Sequence, residues 1–433
     1  MQKLSRKDQF FVGVTLFSMF FGAGNLIFPP FLGLSAGEAV MPAFLGFAAS
    51  AVGLPILGVI AVAREGSFQT LAGRVGKTFA AVFIMLTYLA VGPGLAIPRT
   101  ASVSFEMAVI PFSPAGAPLA VFQAVYSIVF FAGALALALR PSQLVDWLGK
   151  RLAPVLLVLI GVLFVGCLVR GGEAAWETAE AYQSLPLVQG FLDGYQTMDA
   201  IVALIFGLVL AISIRAKGVD QPEAMGRTML KASVLAAALF LAVYGALTFI
   251  GHSHGVPGVQ NGAQLLSGVA WDLFGSAGGV IVAAIFVIAC LNTCISLLCC
   301  CGEYFHGLFP RISYTGWTCF FAVVSAVVAN AGLDMILRVS VPVLNCLYPA
   351  AILLIALTFL PERLRDKPLL FPLSVGLATV FGVLHTLDQV GLAIPGLTAL
   401  AALLPLYQAG LGWLLPGIAG ALAGGLLSGR KGR

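Results

Sequence analysis

The sequence predicts an all-α polytopic membrane protein with about 12 transmembrane helices, and three observations carry that prediction. Of 433 residues, 60% are hydrophobic and only 9% are charged, whereas a soluble domain is about 45–50% apolar and about a quarter charged. With a mean hydropathy of +1.02, the chain has too little charge to clothe a soluble surface. That excludes a water-soluble enzyme, a disordered chain and a nucleic-acid binder together. The apolar residues also gather into runs of about 20, the length that crosses a bilayer as a helix. Finally, the basic residues fall almost wholly between alternate runs.

Taken in order, Lys3, Arg6 and Lys7 precede the first apolar run. No small-residue cleavage site closes a short apolar region, so a membrane span and not a removable signal is expected there. Spans are expected near residues 9–31, 39–63, 78–98, 118–139, 150–170, 187–213, 231–251, 278–301, 315–331, 337–360, 369–387 and 397–427. Gly92-Pro93-Gly94 and Pro98 interrupt the third without a polar loop, which leaves open its continuation to about residue 110.

An even number of spans puts both termini on one side. With the N-terminus cytoplasmic, 20 of the 23 Lys and Arg lie inside, and only Arg99, Arg170 and Arg338 lie outside. That split is what the positive-inside rule demands, and it matters more than the net charge of +5. The expected location is the inner (cytoplasmic) membrane, with the lipid bilayer as a partner and both termini cytoplasmic. Short loops make residues 1–433 a single transmembrane domain.

Outside, Glu173, Glu177 and Glu180 share one face of a helical turn and read as a solvated rim. The Gly-rich segment His252–Ala277 reads as a loop dipping back towards the membrane. Cysteines at 167, 290, 294, 299, 300, 301, 319 and 346 lie in or beside apolar runs and are expected to be free thiols. The run Cys299-Cys300-Cys301 suits helix packing better than a metal site, which needs convergent ligands and a polar surround.

Two strings imitate soluble motifs. Leu71-Ala-Gly-Arg-Val-Gly-Lys-Thr78 is one residue from a phosphate-binding loop but lacks its strand and first glycine. Gly251-His-Ser-His-Gly255 matches a nucleophile elbow as a string, yet that elbow works only at the top of an α/β sheet. No nucleotide, nucleic acid or organic cofactor is expected. Nor is an enzyme, since no His/Asp/Glu cluster has catalytic spacing.

The informative residues are those that interrupt spans. Phe20-Phe21-Gly22-Ala23-Gly24-Asn25-Leu26-Ile27-Phe28-Pro29-Pro30 breaks the first, and Asp193-Gly194-Tyr195-Gln196-Thr197-Met198-Asp199-Ala200 breaks the sixth. Gly weakens a helix and Pro removes a donor. Such a break survives at membrane depth only where it is buried in protein or lines a cavity. Freed carbonyls can ligate a cation, and freed N–H groups an anion.

Spans 1 and 6 begin two sets of five, residues 9–170 and 187–360, with two additional helices over 369–427. Because five is odd, the second set is inverted, and matched interruptions then mark a site at the midplane of an inverted-repeat transporter. Asp199 is the one carboxylate expected deep in a span. Arg99 and Glu106, seven residues apart, are expected on one face near the outside entrance. Gly420-xxx-Gly424 leaves monomer and homodimer both open.

FFGAGNLIFPP, GPGLAIPRTASVSFE, GYQTMDAIVALIFG and ACLNTCISLLCCCGEYF, in that order, closely resemble the bacterial branched-chain amino acid carriers. These are the BrnQ-type symporters of leucine, isoleucine and valine. The resemblance runs from about residue 5 to the C-terminus and implies a LeuT-type fold and Na⁺-coupled uptake. It implies that Gly22, Ala23, Gly24 and Asn25 hold the substrate carboxylate and one Na⁺. Tyr195, Thr197, Met198 and Asp199 complete that site from the sixth span, with Thr197 and Asp199 also facing Na⁺.

A second Na⁺ is implied between Ala289, Asn292 and Thr293 of the eighth span and the chain near Ser18 and Phe21. Asn292 departs from the hydroxyl residue more usual there. Tyr88 and Ile205 or Phe206 are candidates for the wall around the substrate side chain. The alternative driver is H⁺, carried by Asp199.

Overall fold

The computed structural model describes residues 4–114, 116–172, 177–215, 217–219, 221–256 and 258–428. The expectations for Lys3, Glu173, Arg430, Lys431 and Arg433 therefore fall outside the described residues. The fold is all-helical, with no strand among the described residues.

Among the described residues, eight helices are long and apolar enough to cross a membrane, or up to ten spans if each of two bent pairs counts as one. The first pair is α1 (Arg6–Phe20) and α2 (Ala23–Ser35), bent by 76°. Then come α3 (Gly37–Glu65), α4 (Lys77–Phe112), α5 (Leu119–Ala138) and α6 (Pro141–Arg170). The second pair is α7 (Pro186–Tyr195) and α8 (Asp199–Arg215), bent by 44°. Next are α9 (Pro222–Ser253), α10 (Gly262–Phe274), α11 (Ser276–Leu308), α12 (Tyr314–Ala329), α13 (Leu333–Thr358), α14 (Leu370–Gln389) and α15 (Leu414–Leu427).

Helix starts follow local chemistry. Ser5, Asn261 and Ser313 cap α1, α10 and α12, each side-chain oxygen accepting a first-turn N–H. The third expected span does continue past Pro98. A π-turn at Ala90–Gly94, with Gly92 non-helical, carries the chain on, and Pro98 falls in the first turn of the segment beyond, where its missing N–H costs little.

Three expectations are corrected. Arg99 does not stand at a rim: it is 5% exposed, inside the bundle. The Gly-rich segment after His252 is not only loop, because Gly262–Phe274 is a capped helix lying against α2 and α11. The last span is not continuous over 397–427. A short helix, Leu397–Ala402, gives way to turns before α15, because Pro405, Gly410 and Gly412 interrupt it and Leu406 takes φ +63°.

The two bent pairs are embraced in matching ways. Both α1 and α2 pack on α9, where Gly13 meets Leu235 and Gly251 lies against the Pro30 carbonyl. Both α7 and α8 pack on α3, where Gly46 lies against the Leu187 carbonyl and Gly58 meets Ala203. A Cβ at Gly46 or Gly251 would collide with backbone, so glycine there sets how closely the helices approach.

Polar contacts show which connections share an end. Lys217 pairs with Asp8 at 3.8 Å, and the Lys150 ammonium lies 5.9 Å from the Phe11 ring centroid. Arg74 bridges Glu65 at 2.8 Å and Asp366 at 3.5 Å. Arg170 and Asp272, 3.2 Å apart, pair the end of α6 with α10. Gly420 and Gly424 pack within the chain, against backbone at the Leu373 carbonyl of α14 and the Leu369 carbonyl just before it. All eight cysteines are free thiols.

Candidate functional site

At the first break, Phe21 and Gly22 leave helical geometry, Gly22 adopting φ −124°, ψ −155°. A Cβ on Gly22 would stand 2.6 Å from Thr293 Oγ1 of α11, so only glycine lets that hydroxyl approach. The Gly22 N–H donates to Asn25 Oδ1 at 3.0 Å. The Asn25 amide nitrogen then donates to Asp199 Oδ2 at 2.5 Å and to the Tyr244 hydroxyl. Tyr244, from α9, also donates to Asp199 Oδ2 at 3.3 Å. Asn25 thus ties one break to the other across 174 residues of chain.

The second break is a turn in which Met198 takes φ +69°. Thr197 Oγ1 donates to the Gly194 carbonyl at 2.8 Å. Tyr348 of α13 donates to the Tyr195 carbonyl at 2.5 Å, and the two rings stack with centroids 4.1 Å apart. Arg99 Nη1 donates to the Gln196 carbonyl at 3.1 Å. Carbonyls freed where α7 ends are therefore met by side chains from α4 and α13.

Between the breaks lies a small, largely enclosed cavity of about 20 Å³. The candidates Gly22, Ala23, Asn25, Thr197, Met198 and Asp199 line it, with Arg99, Phe20, Val202 and Leu297. Asn25, Thr197, Arg99 and Asp199 are all buried, Asp199 at 2% exposure. Gly24 abuts the cavity through Arg99, whose Nη2 would lie 3.1 Å from a Cβ there.

The remaining candidates sit elsewhere. Tyr195 turns its ring to Tyr348. Phe206 packs against Phe20 with tilted rings, centroids 4.8 Å apart, behind the cavity wall. Tyr88 lies instead in a separate space of about 490 Å³, with Ile205, Arg215 and Met229. Its ring stacks on Tyr304 at 4.0 Å.

The second candidate cation position lies where α1 ends against α11. Asn292 Nδ2 donates to Ser18 Oγ at 2.8 Å, and Thr293 Oγ1 donates to the Met19 carbonyl at 3.1 Å. Asn292 Oδ1 is buried with no hydrogen-bond partner among the described residues. An orphaned amide oxygen is costly unless something ligates it, and oxygen ligands suit a hard cation. Ser18, Phe21, Ala289 and Asn292 are fully buried around this point. Among the described residues no group of three His, Cys, Asp or Glu could hold a transition metal.

Arg99, Tyr244 and Tyr348 were not among the site residues read from sequence. Arg99 carried a usable signal, a charge inside an apolar run, hidden by ending the third span at Pro98. The two tyrosines carried none, because a tyrosine in a span is ordinary.

Residues 5–430 match the family model described as branched-chain amino acid transport protein. The chain is 40% identical, over 96% of its length and 95% of the relative's, to the branched-chain amino acid transport system 2 carrier protein of Pseudomonas aeruginosa. Its fold is similar to that of MhsT in complex with L-phenylalanine, with a TM-score of 0.57 and 19% identity over 99% of both chains. It is also similar to a substrate-bound, Na⁺-coupled sialic acid symporter, with a TM-score of 0.56 and 13% identity, covering 98% of this chain and 90% of that one. An all-helical membrane fold built around two broken helices, matched over almost its whole length to carriers and not to enzymes, places this chain in the branched-chain amino acid transport protein family.

Proposed function

We propose that the chain is a secondary symporter that imports leucine, isoleucine and valine with Na⁺ by alternating access. The observation that carries this reading is the convergence of both helix breaks on one enclosed cavity, with Asn25 bonded to Asp199 across it. The relative's name supports the substrate class, and the Na⁺-coupled symporter among the fold neighbours supports the ion. Substrate binds against Gly22, Ala23, Gly24 and Asn25 on one side and Thr197, Met198 and Asp199 on the other, with Tyr195 holding the second break from behind. Phe20, Val202 and Leu297 offer the apolar wall that a branched side chain requires.

Asp199, ionised, takes the substrate ammonium or faces one Na⁺ with Thr197 and the second lone pair of Asn25 Oδ1. Asn292 Oδ1, Thr293, Ser18 and the chain at Phe21 and Ala289 would hold the other Na⁺. A cation there would bridge α1 to α11, so occupancy and the closure of the first break become linked, as coupling requires. The matched packing of α1–α2 on α9 and of α7–α8 on α3 supports a 5+5 inverted repeat in which the two sets rock against each other. Helix α12 and the interrupted last segment then complete twelve spans. The polar contacts that join the N-terminal segment to the connections near Lys150 and Lys217 support one shared basic end, which we assign to the cytoplasmic face of the plasma membrane.

The test is labelled leucine uptake into proteoliposomes under an imposed Na⁺ gradient or an imposed H⁺ gradient. Concentrative uptake is expected with Na⁺ alone, and Asp199→Asn should weaken it while any residual transport stays Na⁺-dependent. Uptake driven by a pH gradient in Na⁺-free buffer, and lost specifically in Asp199→Asn, would overturn Na⁺ coupling in favour of H⁺ carried by Asp199.

A further inference from the structure

We infer that Arg99 is the residue that binds the substrate's carboxylate, so that selectivity for free amino acids over their uncharged derivatives resides in this one side chain. The inference deepens the transport reading of the same cavity and rests on it.

A guanidinium has five N–H donors and never gives up its charge in practice. Arg99 is 5% exposed, deep in the bundle. Among the described residues it makes one hydrogen bond, to the Gln196 carbonyl, and no ion pair. Burying a charge so sparsely partnered is expensive. The side chain lines the enclosed cavity, so its remaining donors have that space to address. A planar fork of donors matches a carboxylate in two parallel bonds, a geometry an ammonium or a bare metal ion does not offer.

The position agrees with the chemistry. Arg99 Nη2 lies against Gly24, where a Cβ would come within 3.1 Å. Gly24 belongs to the first turn of α2, a helix of 13 residues whose N-terminal N–H groups favour an anion. Arg99 and the start of α2 therefore present positive potential to one part of the cavity. Asp199 lines the same cavity, yet no ion pair between it and Arg99 occurs among the described residues. Two opposite charges on one small cavity, neither neutralising the other by contact, form the complement of a zwitterion. Phe20, Val202 and Leu297 supply the apolar remainder.

The experiment uses the full chain in nanodiscs and compares L-leucine with leucinol, in which CH₂OH replaces the carboxylate. Each affinity is read separately from the ligand-induced rise in Tm. Wild type should prefer leucine by about 10- to 150-fold, the value of a charge-assisted contact. Arg99→Gln should lose about that factor for leucine and less than about 3-fold for leucinol, so that the preference collapses. Arg99→Lys, which keeps the charge but not the fork, should retain an intermediate preference and serves if the glutamine variant does not fold.

A side chain that merely props the break would weaken both ligands together. An unchanged leucine-to-leucinol ratio in Arg99→Gln, or in Arg99→Lys if that alone folds, overturns the inference while leaving transport intact. So does a wild type that binds leucinol as tightly as leucine. A wild type that binds neither ligand sinks the transport reading, and this inference with it.

Discussion

The two helix breaks serve one cavity but are built from different materials. At the first, Phe21 and Gly22 leave the helix in extended geometry, the bend reaches 76°, and the absent Cβ of Gly22 makes room for Thr293. At the second, no glycine occupies the turn itself. Met198 takes φ +69°, the bend is 44°, and the carbonyls at Tyr195 and Gln196 are held from outside by Tyr348 and Arg99. The first break is written into its own residues, whereas the second is imposed by its neighbours. A break of the first kind fails when a local residue changes, and one of the second kind fails when a distant partner is removed.

That contrast is open to mutation, and the largest effect is expected at the one residue common to both breaks. Asn25→Ala removes the acceptor for the Gly22 N–H and the donor to Asp199. Leaving a buried carboxylate short of a partner costs about 1.5–3 kcal/mol or more. Concentrative leucine uptake should vanish while the protein remains in the membrane. Transport with unchanged Na⁺ dependence would remove the first break from the site.

Gly22→Ala comes next, because its methyl would stand 2.6 Å from Thr293 Oγ1. Overpacking of this kind costs about 1–3 kcal/mol, and uptake should fall by about 10-fold or more. Thr293→Ala alone removes a hydrogen bond, but added to Gly22→Ala it should restore thermal stability. If the double variant melts no higher than Gly22→Ala, backbone geometry and not the hydroxyl demands glycine there.

Tyr348→Phe probes the imposed break. Losing its bond to the Tyr195 carbonyl should cost about 0.5–1.5 kcal/mol in stability, since the stacked ring is kept. A drop in Tm smaller than that of Asn25→Ala supports the contrast, and no drop at all counts against it.

The smallest effect belongs to a conservative change at Met198. Met198 is 1% exposed at φ +69°, so Met198→Leu, which keeps the buried volume without branching at Cβ, should move stability by about 1 kcal/mol or less. Met198→Val should lower it by about 1–3 kcal/mol, because a β-branched residue resists that region. Equal melting temperatures for the two would mean that the turn is less fixed than its geometry suggests.

The same contrast explains how much was legible in advance. Gly22, Ala23, Asn25, Thr197, Met198 and Asp199 were readable because polar and glycine residues stand out within apolar runs, and all of them line the cavity. Tyr88 and Phe206 were not separable by sequence from core aromatics, and neither lines it: one faces the larger space with Tyr304, the other backs Phe20. Arg99 was misplaced because Pro98 reads as an end, while the π-turn before it makes Pro98 part of a beginning.

By itself the sequence determined what the solvent of each segment must be. Long apolar runs with charges confined between them admit only helices in a bilayer, where every backbone polar group must be satisfied within the chain. It also determined where those helices break, because Gly and buried polar side chains act locally on the backbone. Tertiary structure alone decided which distant groups meet the freed backbone: Arg99 at Gln196, Tyr348 at Tyr195, Asn25 at Asp199. Those pairings span 97 to 174 residues. Their partners are selected by the register and approach of whole helices, which no periodicity of a single segment records.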